Sequence, residues 1–209
     1  MTSAKFWDKR ARKYAASKIA DPSAYEYTRE RTRSYLKATD TVLEMGCGSG
    51  STALELAADA GRIIGTDVSS EMVKIATEKA QSGGVTNASF RVATVDDALN
   101  APEPVDVVMG FNIFHLVRNR EEIYGEIYRK LPVGGTFISK TPCLSEPSIG
   151  FKRFAFAAMI PLMRMLGIAP YVARFSFVEH EGAIRFAGFD LIEVGSFPEM
   201  NRYIVARKR

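Results

Sequence analysis

Short apolar segments alternate with amphipathic segments from residue 41 to residue 139, and this alternation limits the fold more than any other feature of the chain. The apolar segments are apolar on both faces, which is typical of buried parallel strands. Segments with helical periodicity lie between most of them, as crossovers between parallel strands require. Strands are predicted at Thr41–Met45, Arg62–Asp67, Ser89–Ala93, Val105–Gly110 and from Thr136, and helices at Ser51–Ala60, Ser69–Gln81 and Asn119–Leu131, with Asn119 as N-cap.

The C-terminal segment departs from this alternation. Ser176–Ala187 is predicted as a helix that begins with the capping-box pair Ser176 and Glu179. Two strands follow, Phe189–Ser196 and Asn201–Lys208, with a link too short for a parallel crossover. We therefore predict an α/β fold with a doubly wound, mostly parallel seven-stranded sheet and one antiparallel strand near its C-terminal edge.

Composition narrows the class of protein. The 209 residues, 46% of them hydrophobic and 25% charged, are typical of one globular domain. The net charge of +4 comes from basic clusters at both ends, which are either solvated termini or contacts to an acidic partner or a membrane surface. Cys47 and Cys143 lack metal-type spacing, so a disulfide scaffold is excluded and a reducing, cytoplasmic location is expected. No signal peptide and no run of about 18 apolar residues is recognised.

The segment VLEMGCGSG, residues 42–50, places glycine at every second position between a predicted strand and a predicted helix. Glycine in such a turn lets a ligand approach the main chain, and the helix N-terminus offers free N–H groups. Asp67 ends the next strand, where a carboxylate can accept hydrogen bonds from both hydroxyls of a ribose. The alternatives are a turn that binds nothing and an Asp67 that caps the following helix. The spacing is G-x-G-x-G, which differs from the dinucleotide fingerprint G-x-G-x-x-G.

These segments resemble a known family. VLEMGCGSG followed by GTDVSSEMVKIA is similar to the first two signature segments of class I S-adenosylmethionine-dependent methyltransferases of small molecules. FRVATVDDAL, VDVVMGFNIFHLV and EIYRKLPVGGTFIS follow in the family's order and spacing, and RYIVARK resembles its final antiparallel strand. The resemblance covers Asp40–Ser139 well. It implies a Rossmann-like fold, S-adenosyl-L-methionine as donor and S-adenosyl-L-homocysteine as product, and we expect no metal. The hypothesis of a small, partly apolar methyl acceptor rests on the Met- and Phe-rich stretch Ser148–Gly167 alone.

The resemblance also implies roles for individual residues. The methionine portion and sugar of the cofactor would lie against Glu44, Gly46, Cys47, Gly48 and Gly50, the ribose diol against Asp67, and the adenine beside Val68 and Met72. The family often has an acid directly after the third strand. Here Thr94 stands at that position, so the adenine contact stays open between Thr94 with Val95 and Asp96.

The remaining cofactor contacts would come from Phe111 and Asn112 near the sulfonium and from Tyr14 on an N-terminal helix that folds over the site. His115 matches the second histidine of a frequent family segment and is the candidate catalytic base, with a packed structural histidine as the alternative. The runner-up functions are an NAD(P)-dependent oxidoreductase and a non-catalytic cofactor-binding or lipid-surface protein.

We interpret the chain, residues 1–209, as one methyltransferase domain in four parts. Residues 1–38 form an N-terminal helical cap, with helices over Ser3–Ile19 and Tyr25–Leu36, and residues 39–142 form the cofactor-binding core. Residues 143–175 form a substrate lid or insert, and residues 176–209 the C-terminal helix and strand pair. The Met- and Phe-rich stretch Ser148–Gly167 is a core helix, a wall over an apolar substrate, or a dimer or membrane surface. We expect no nucleic-acid partner and a monomer or homodimer, with peripheral membrane contact left open.

Overall fold

One sheet of seven strands carries the fold in the computed structural model, which describes residues 2–209. The strands are β1 Thr41–Met45, β2 Arg62–Asp67, β3 Ala88–Val92, β4 Val107–Phe111, β5 Thr136–Pro142, β6 Phe189–Gly195 and β7 Asn201–Lys208. They lie in the order β3-β2-β1-β4-β5-β7-β6. Strands β1 to β5 pair in parallel, and β7 runs antiparallel to both β5 and β6. The predicted fold class, with its one antiparallel strand near the C-terminal edge, is confirmed.

Helices cover both faces of this sheet. They are α1 Ser3–Asp8, α2 Ala11–Ala15, α3 Pro22–Arg33, α4 Ser51–Leu56, α5 Ser70–Ser82, α6 Val95–Asn100, α7 Arg120–Lys130, α8 Lys152–Met165 and α9 Phe177–Phe186. Adjacent residues of a strand point to opposite faces, so Val42 and Leu43 belong to two separate apolar clusters, as do Ile138 and Phe137. This two-sided burial explains the apolar runs of the central strands β1 and β4, whereas the edge strand β3 has no buried residue.

One predicted helix is broken in the structure, and one observed helix was not predicted. The predicted helix Ser3–Ile19 is broken after Asp8. The Asp8 carboxylate accepts a hydrogen bond of 2.7 Å from the Ser69 hydroxyl and one of 3.3 Å from the Glu71 N–H. These contacts fasten α1 to the N-terminus of α5, where a negative charge is favourable. Helix α6 was not predicted, although Thr94 and Asp97 form a complete capping box at its start.

The predicted caps had mixed outcomes. The capping box of Ser176 and Glu179 is confirmed at the start of α9. Asn119 is the N-cap residue of α7 as predicted, but its side chain bonds no backbone N–H and instead donates to the Glu122 carboxylate at 3.4 Å.

The strand order places a crevice at the carboxyl ends of β1 and β4. The strands β2 and β3, which follow β1 in the chain, lie on one side of β1, whereas β5, which follows β4, lies on the other side of β4. The strand order therefore reverses between β1 and β4. Ligands of doubly wound sheets bind at such a switch point. Within residues 2–209, no helix is both long and apolar enough to cross a membrane.

Candidate functional site

Two adjoining cavities open at this crevice. Cavity A has a volume of about 640 Å³ and lies on the β2 side, and cavity B has a volume of about 470 Å³ and lies on the α3 side. The residues that line both cavities, and so mark their junction, are Tyr14, Gly46, Gly48, Phe111 and Asn112. The junction therefore lies between the end of β1 and the end of β4.

The glycines of the β1–α4 turn serve different purposes. Gly48 has φ +53°, and a Cβ added there would meet only the Tyr14 Cε1 atom, at 3.8 Å. Its main chain is therefore open toward the cavities. Gly50 has φ +75°, and an added Cβ would lie 2.7 Å from the Ala76 Cβ and 2.9 Å from the Phe90 Cζ. Gly50 thus permits the close packing of α5 and β3, and it lines neither cavity.

Asp67 ties the turn to the end of β2. Its carboxylate accepts hydrogen bonds from the Gly48 N–H at 3.0 Å and from the Ser69 N–H at 2.9 Å. Burial raises the pKa of Asp67, while these backbone N–H groups stabilise the ionised form and oppose that rise. The side chain also lines cavity A, so an acceptor group fixed by the main chain faces the ligand space.

Glu44 lines cavity B and is only 2% exposed. Its Oε2 atom has no hydrogen-bond partner among the described residues. Burial, and secondly the charge of Asp67, raises the pKa of Glu44 to about 8. An unpaired buried carboxyl oxygen at a cavity wall is costly unless a ligand supplies a cationic or hydrogen-bonding partner.

Asn112 shapes the opposite side of the junction. It is the one residue other than glycine with positive φ among residues 2–209, at 56°, and its N–H donates to the Lys140 carbonyl at 2.7 Å. Asparagine tolerates this left-handed conformation better than most residues. The turn it makes directly after β4 exposes its side chain beside both cavities.

The two histidines have different surroundings. His115 lines cavity A, and its Nδ1 lies 3.3 Å from the Thr141 Oγ1. Burial lowers the pKa of His115 to about 4, so the ring is neutral at neutral pH and is a weaker base than an exposed histidine. His180 is fully buried, with Nδ1 3.0 Å from the Tyr124 hydroxyl, and it lines neither cavity.

Most of the residues predicted from sequence come together here. Cavity A is lined by Asp67, Val68, Met72, Val95, Asp96 and His115, and cavity B by Glu44 and Cys47. Both cavities are lined by Tyr14, Gly46, Gly48, Phe111 and Asn112. Thr94 lines neither cavity, because its hydroxyl and N–H both bond Asp97 in the α6 capping box. No group of three or more potential metal ligands occurs in the described part of the chain, and the absence of a metal stays a prediction.

Sequence reasoning missed part of the wall of cavity A. Trp7 of α1 and Ile113, whose side chain packs on Gly46, both line it. The aromatic pair Phe6 and Trp7 in the N-terminal helix was the available signal. Pro170 and Val172, which follow α8, also line cavity A, whereas α8 itself contributes no side chain to either cavity.

Comparisons with known proteins agree on a family. A family model described as a methyltransferase domain matches residues 36–160. An arsenite methyltransferase of Halobacterium salinarum is 31% identical over 100 residues, which are 46% of this chain and 25% of that protein. The matched stretches of the first two curated relatives span only 25% and 40% of their lengths.

Solved structures share the fold over nearly the whole chain. The putative methyltransferase in a complex with the Trm112 methyltransferase activator of Haloferax volcanii is 21% identical, with a TM-score of 0.72 and 99% of each chain covered. Magnesium protoporphyrin IX methyltransferase of Synechocystis PCC 6803, solved with bound SAH, is 15% identical, with a TM-score of 0.71 and 99% of this chain and 98% of that chain covered.

Proposed function

Because the chain belongs to the methyltransferase-domain family, we propose that it is an S-adenosyl-L-methionine-dependent methyltransferase acting on a small-molecule acceptor. The observation that carries the proposal is the junction of cavities A and B over the Gly46–Gly48 turn, with the carboxyl group of Asp67 on one side and that of Glu44 on the other. One elongated ligand with hydrogen-bond donors toward each end would satisfy both groups.

The residues present fit this cofactor. Asp67 would accept from the ribose hydroxyls, and the apolar Val68 and Met72 would cover the adenine. The orphaned Oε2 of Glu44 would accept from the ammonium group of the methionine portion. The open main chain at Gly48 allows the ligand to cross between the cavities without meeting a Cβ.

The bound cofactor supplies a methyl group that is already activated on a sulfonium sulfur. The work left to the protein is to hold the acceptor in line and exclude water, which is catalysis by proximity and orientation. Trp7 and Tyr14 would close the site from the N-terminal side. Neutral His115 would take the proton from an acceptor hydroxyl or ammonium group, with its Nδ1 near the Thr141 hydroxyl limiting ring rotation.

The wall of cavity A supports a partly apolar acceptor. Around His115 it is formed by Ile113, Leu116, Val117 and Val172. We propose that the segment 143–175 takes part in acceptor choice through the residues that follow α8, since Pro170 and Val172 reach the cavity. The named acceptors of the similar proteins, arsenite and a magnesium porphyrin, differ from one another, so the acceptor atom is left to an activity screen.

The experiment is a thermal shift of the purified protein with S-adenosylmethionine, S-adenosylhomocysteine, NAD and NADP. A ligand that binds only the folded state stabilises it by about 2.7 kcal/mol at a hundredfold excess over its dissociation constant. We expect a rise with the two adenosyl sulfur compounds, lost in Asp67→Asn and kept in the control Asp190→Asn, whose carboxylate pairs with Arg209 on the surface.

Two outcomes would contradict the proposal. A rise with NAD or NADP alone would favour the oxidoreductase reading. Binding of the adenosyl compounds without methyl transfer to any acceptor of a broad small-molecule screen would favour a non-catalytic binding protein.

A further inference from the structure

Helix α8 presents an apolar face that nothing in residues 2–209 covers. Of its residues, only Ile160 is buried. The exposed side chains on and beside the helix, called here the α8 face, are Phe151, Phe154, Met159, Leu162, Met165 and Leu166. Phe151 is 81% exposed and Met165 78%, and the helical spacing of these six residues places them on one side of α8.

The charges in the segment that carries this face are of one sign, whereas Glu121 and Glu122 of α7 line a surface depression with Arg118 and Tyr171. Residues 147–178 contain Lys152, Arg153, Arg164 and Arg174 and no aspartate or glutamate. The N-terminal segment adds a further cation at the C-terminal end of α8. There the Arg10 guanidinium donates to the carbonyl of Ile168, which follows the helix, at 3.4 Å. A helix that has an apolar face on one side and cations without carboxylates on the rest of its surface is typical of one that lies in a membrane interface.

Two arginines converge on a single ring at the C-terminal end of the face. The guanidinium carbon of Arg118 lies 4.3 Å, and that of Arg164 5.1 Å, from the centre of the Tyr171 ring. Neither arginine forms a salt bridge within residues 2–209. They line a third cavity of about 710 Å³, which shares Ser3, Leu116 and Pro170 with cavity A. Paired guanidinium groups without carboxylate partners suit phosphate oxygens.

We propose that the α8 face docks on an anionic phospholipid bilayer, with its apolar side chains in the interface and Arg118 and Arg164 at the lipid phosphates. Charge decides between a bilayer and a second copy of the chain. A twofold pairing of α8 with α8 would bring the cations of segment 147–178 together without an acidic residue of that segment to pair with, whereas anionic headgroups complement them.

Docking in this way would put the third cavity, and through it cavity A, next to the bilayer. This consequence rests on the proposed function: the acceptor would then be an amphiphile taken from the membrane. The docking itself does not depend on methyl transfer, so its failure and the failure of the proposed function are distinguishable.

The test is cosedimentation of the full chain with phosphatidylcholine vesicles and with vesicles of equal parts phosphatidylcholine and phosphatidylglycerol. We expect binding to the anionic vesicles that weakens with added salt. Leu162→Asp should lower the partition coefficient about tenfold. Arg118→Gln and Arg164→Gln should each lower it about fivefold.

Matched controls lie elsewhere on the surface. Phe186 of α9 is 94% exposed and Arg207 is exposed on β7, so Phe186→Asp and Arg207→Gln remove similar groups away from the α8 face. These two variants should bind vesicles as the unchanged protein does. Circular dichroism and the shift with S-adenosylhomocysteine would show that every variant is folded.

Three results would overturn the proposal. The first is equal binding to neutral and anionic vesicles or none to either. The second is equal losses in the control variants. The third is a dimer, seen by light scattering without lipid, that Leu162→Asp converts to monomer, because the face would then be an interface between copies of the chain.

Discussion

We predict that the buried carboxyl of Glu44 lowers the folding stability of the ligand-free protein. The pKa of Glu44 is about 8 in the folded chain against an ordinary value of 4.5, and the main cause is burial. Between these two values the folded state binds a proton that the unfolded state has released. Folding stability therefore falls as the pH rises from about 4.5 to about 8, and it is constant with respect to this group outside that window.

The size of the loss follows from the gap between the two pKa values. Each pKa unit corresponds to 1.36 kcal/mol, so the penalty grows from nothing near pH 4.5 to ~3 kcal/mol at pH 7 and ~5 kcal/mol above pH 8. Because Glu44 is only 2% exposed, solvent screens little of this. Replacement by glutamine keeps the shape and removes the ionisation. Glu44→Gln should therefore stabilise the ligand-free protein by ~3 kcal/mol at pH 7.

The assay is urea unfolding of the unchanged protein, Glu44→Gln and the exposed control Glu78→Gln at several pH values from 5 to 9. The difference in unfolding free energy between the unchanged protein and Glu44→Gln should grow with pH, whereas the difference for Glu78→Gln should stay flat. Calorimetric titration with S-adenosylhomocysteine should show the opposite preference, with affinity about ten- to a hundredfold lower in Glu44→Gln. A stability difference that does not vary with pH would refute the reasoning.

Three further predictions concern the turn, the base and the core. Gly50→Ala should lower the unfolding free energy by about 2–4 kcal/mol, because its Cβ would meet α5 and β3 at positive φ, whereas Gly48→Ala should lower it by only about 1 kcal/mol and mainly weaken binding of S-adenosylhomocysteine. Urea unfolding measures the first effect and calorimetry the second, and equal losses of stability in the two variants would contradict this account. If His115 is the base, kcat in a methyl-transfer assay should fall as the pH drops through the His115 pKa of about 4. His115→Ala should lower kcat about 10²- to 10⁴-fold at neutral pH, and an unchanged kcat would show that His115 is a structural residue. Tyr124→Phe should cost about 1–3 kcal/mol, because it leaves the fully buried His180 Nδ1 unpartnered; a neutral effect in urea unfolding would refute the importance of this 3.0 Å contact.

The features that the sequence predicted well depend on near neighbours in the chain. Strands β1, β2 and β7 have the predicted bounds, because each has a short buried run at its centre with polar or turn residues at its ends. The antiparallel β7 followed from a link too short for a crossover. Helix α6 was missed even though its capping-box pair, Thr94 and Asp97, is local, since the helix is only six residues long and its periodicity is weak.

The arrangement of the candidate site was predictable only in part. Parallel strands bring their carboxyl ends to one edge, so a strand-end glycine turn and Asp67 had to lie near each other, whatever the rest of the chain did. The attachment of α1 to α5 could not be read from residues 3–19 alone, because the bond that makes it joins Asp8 to Ser69, 61 positions apart.

What the sequence by itself determined is therefore the sheet, its strand directions and the position of the glycine turn, since these follow from periodicity and link length. Only the tertiary structure decided which polar groups lack partners and which apolar faces lack cover. The unpaired oxygen of Glu44, the different surroundings of His115 and His180, and the outward direction of the α8 face all depend on atoms from distant segments. The burial and hydrogen bonding of a group depend on all the atoms packed around it, and a local sequence pattern does not specify those atoms.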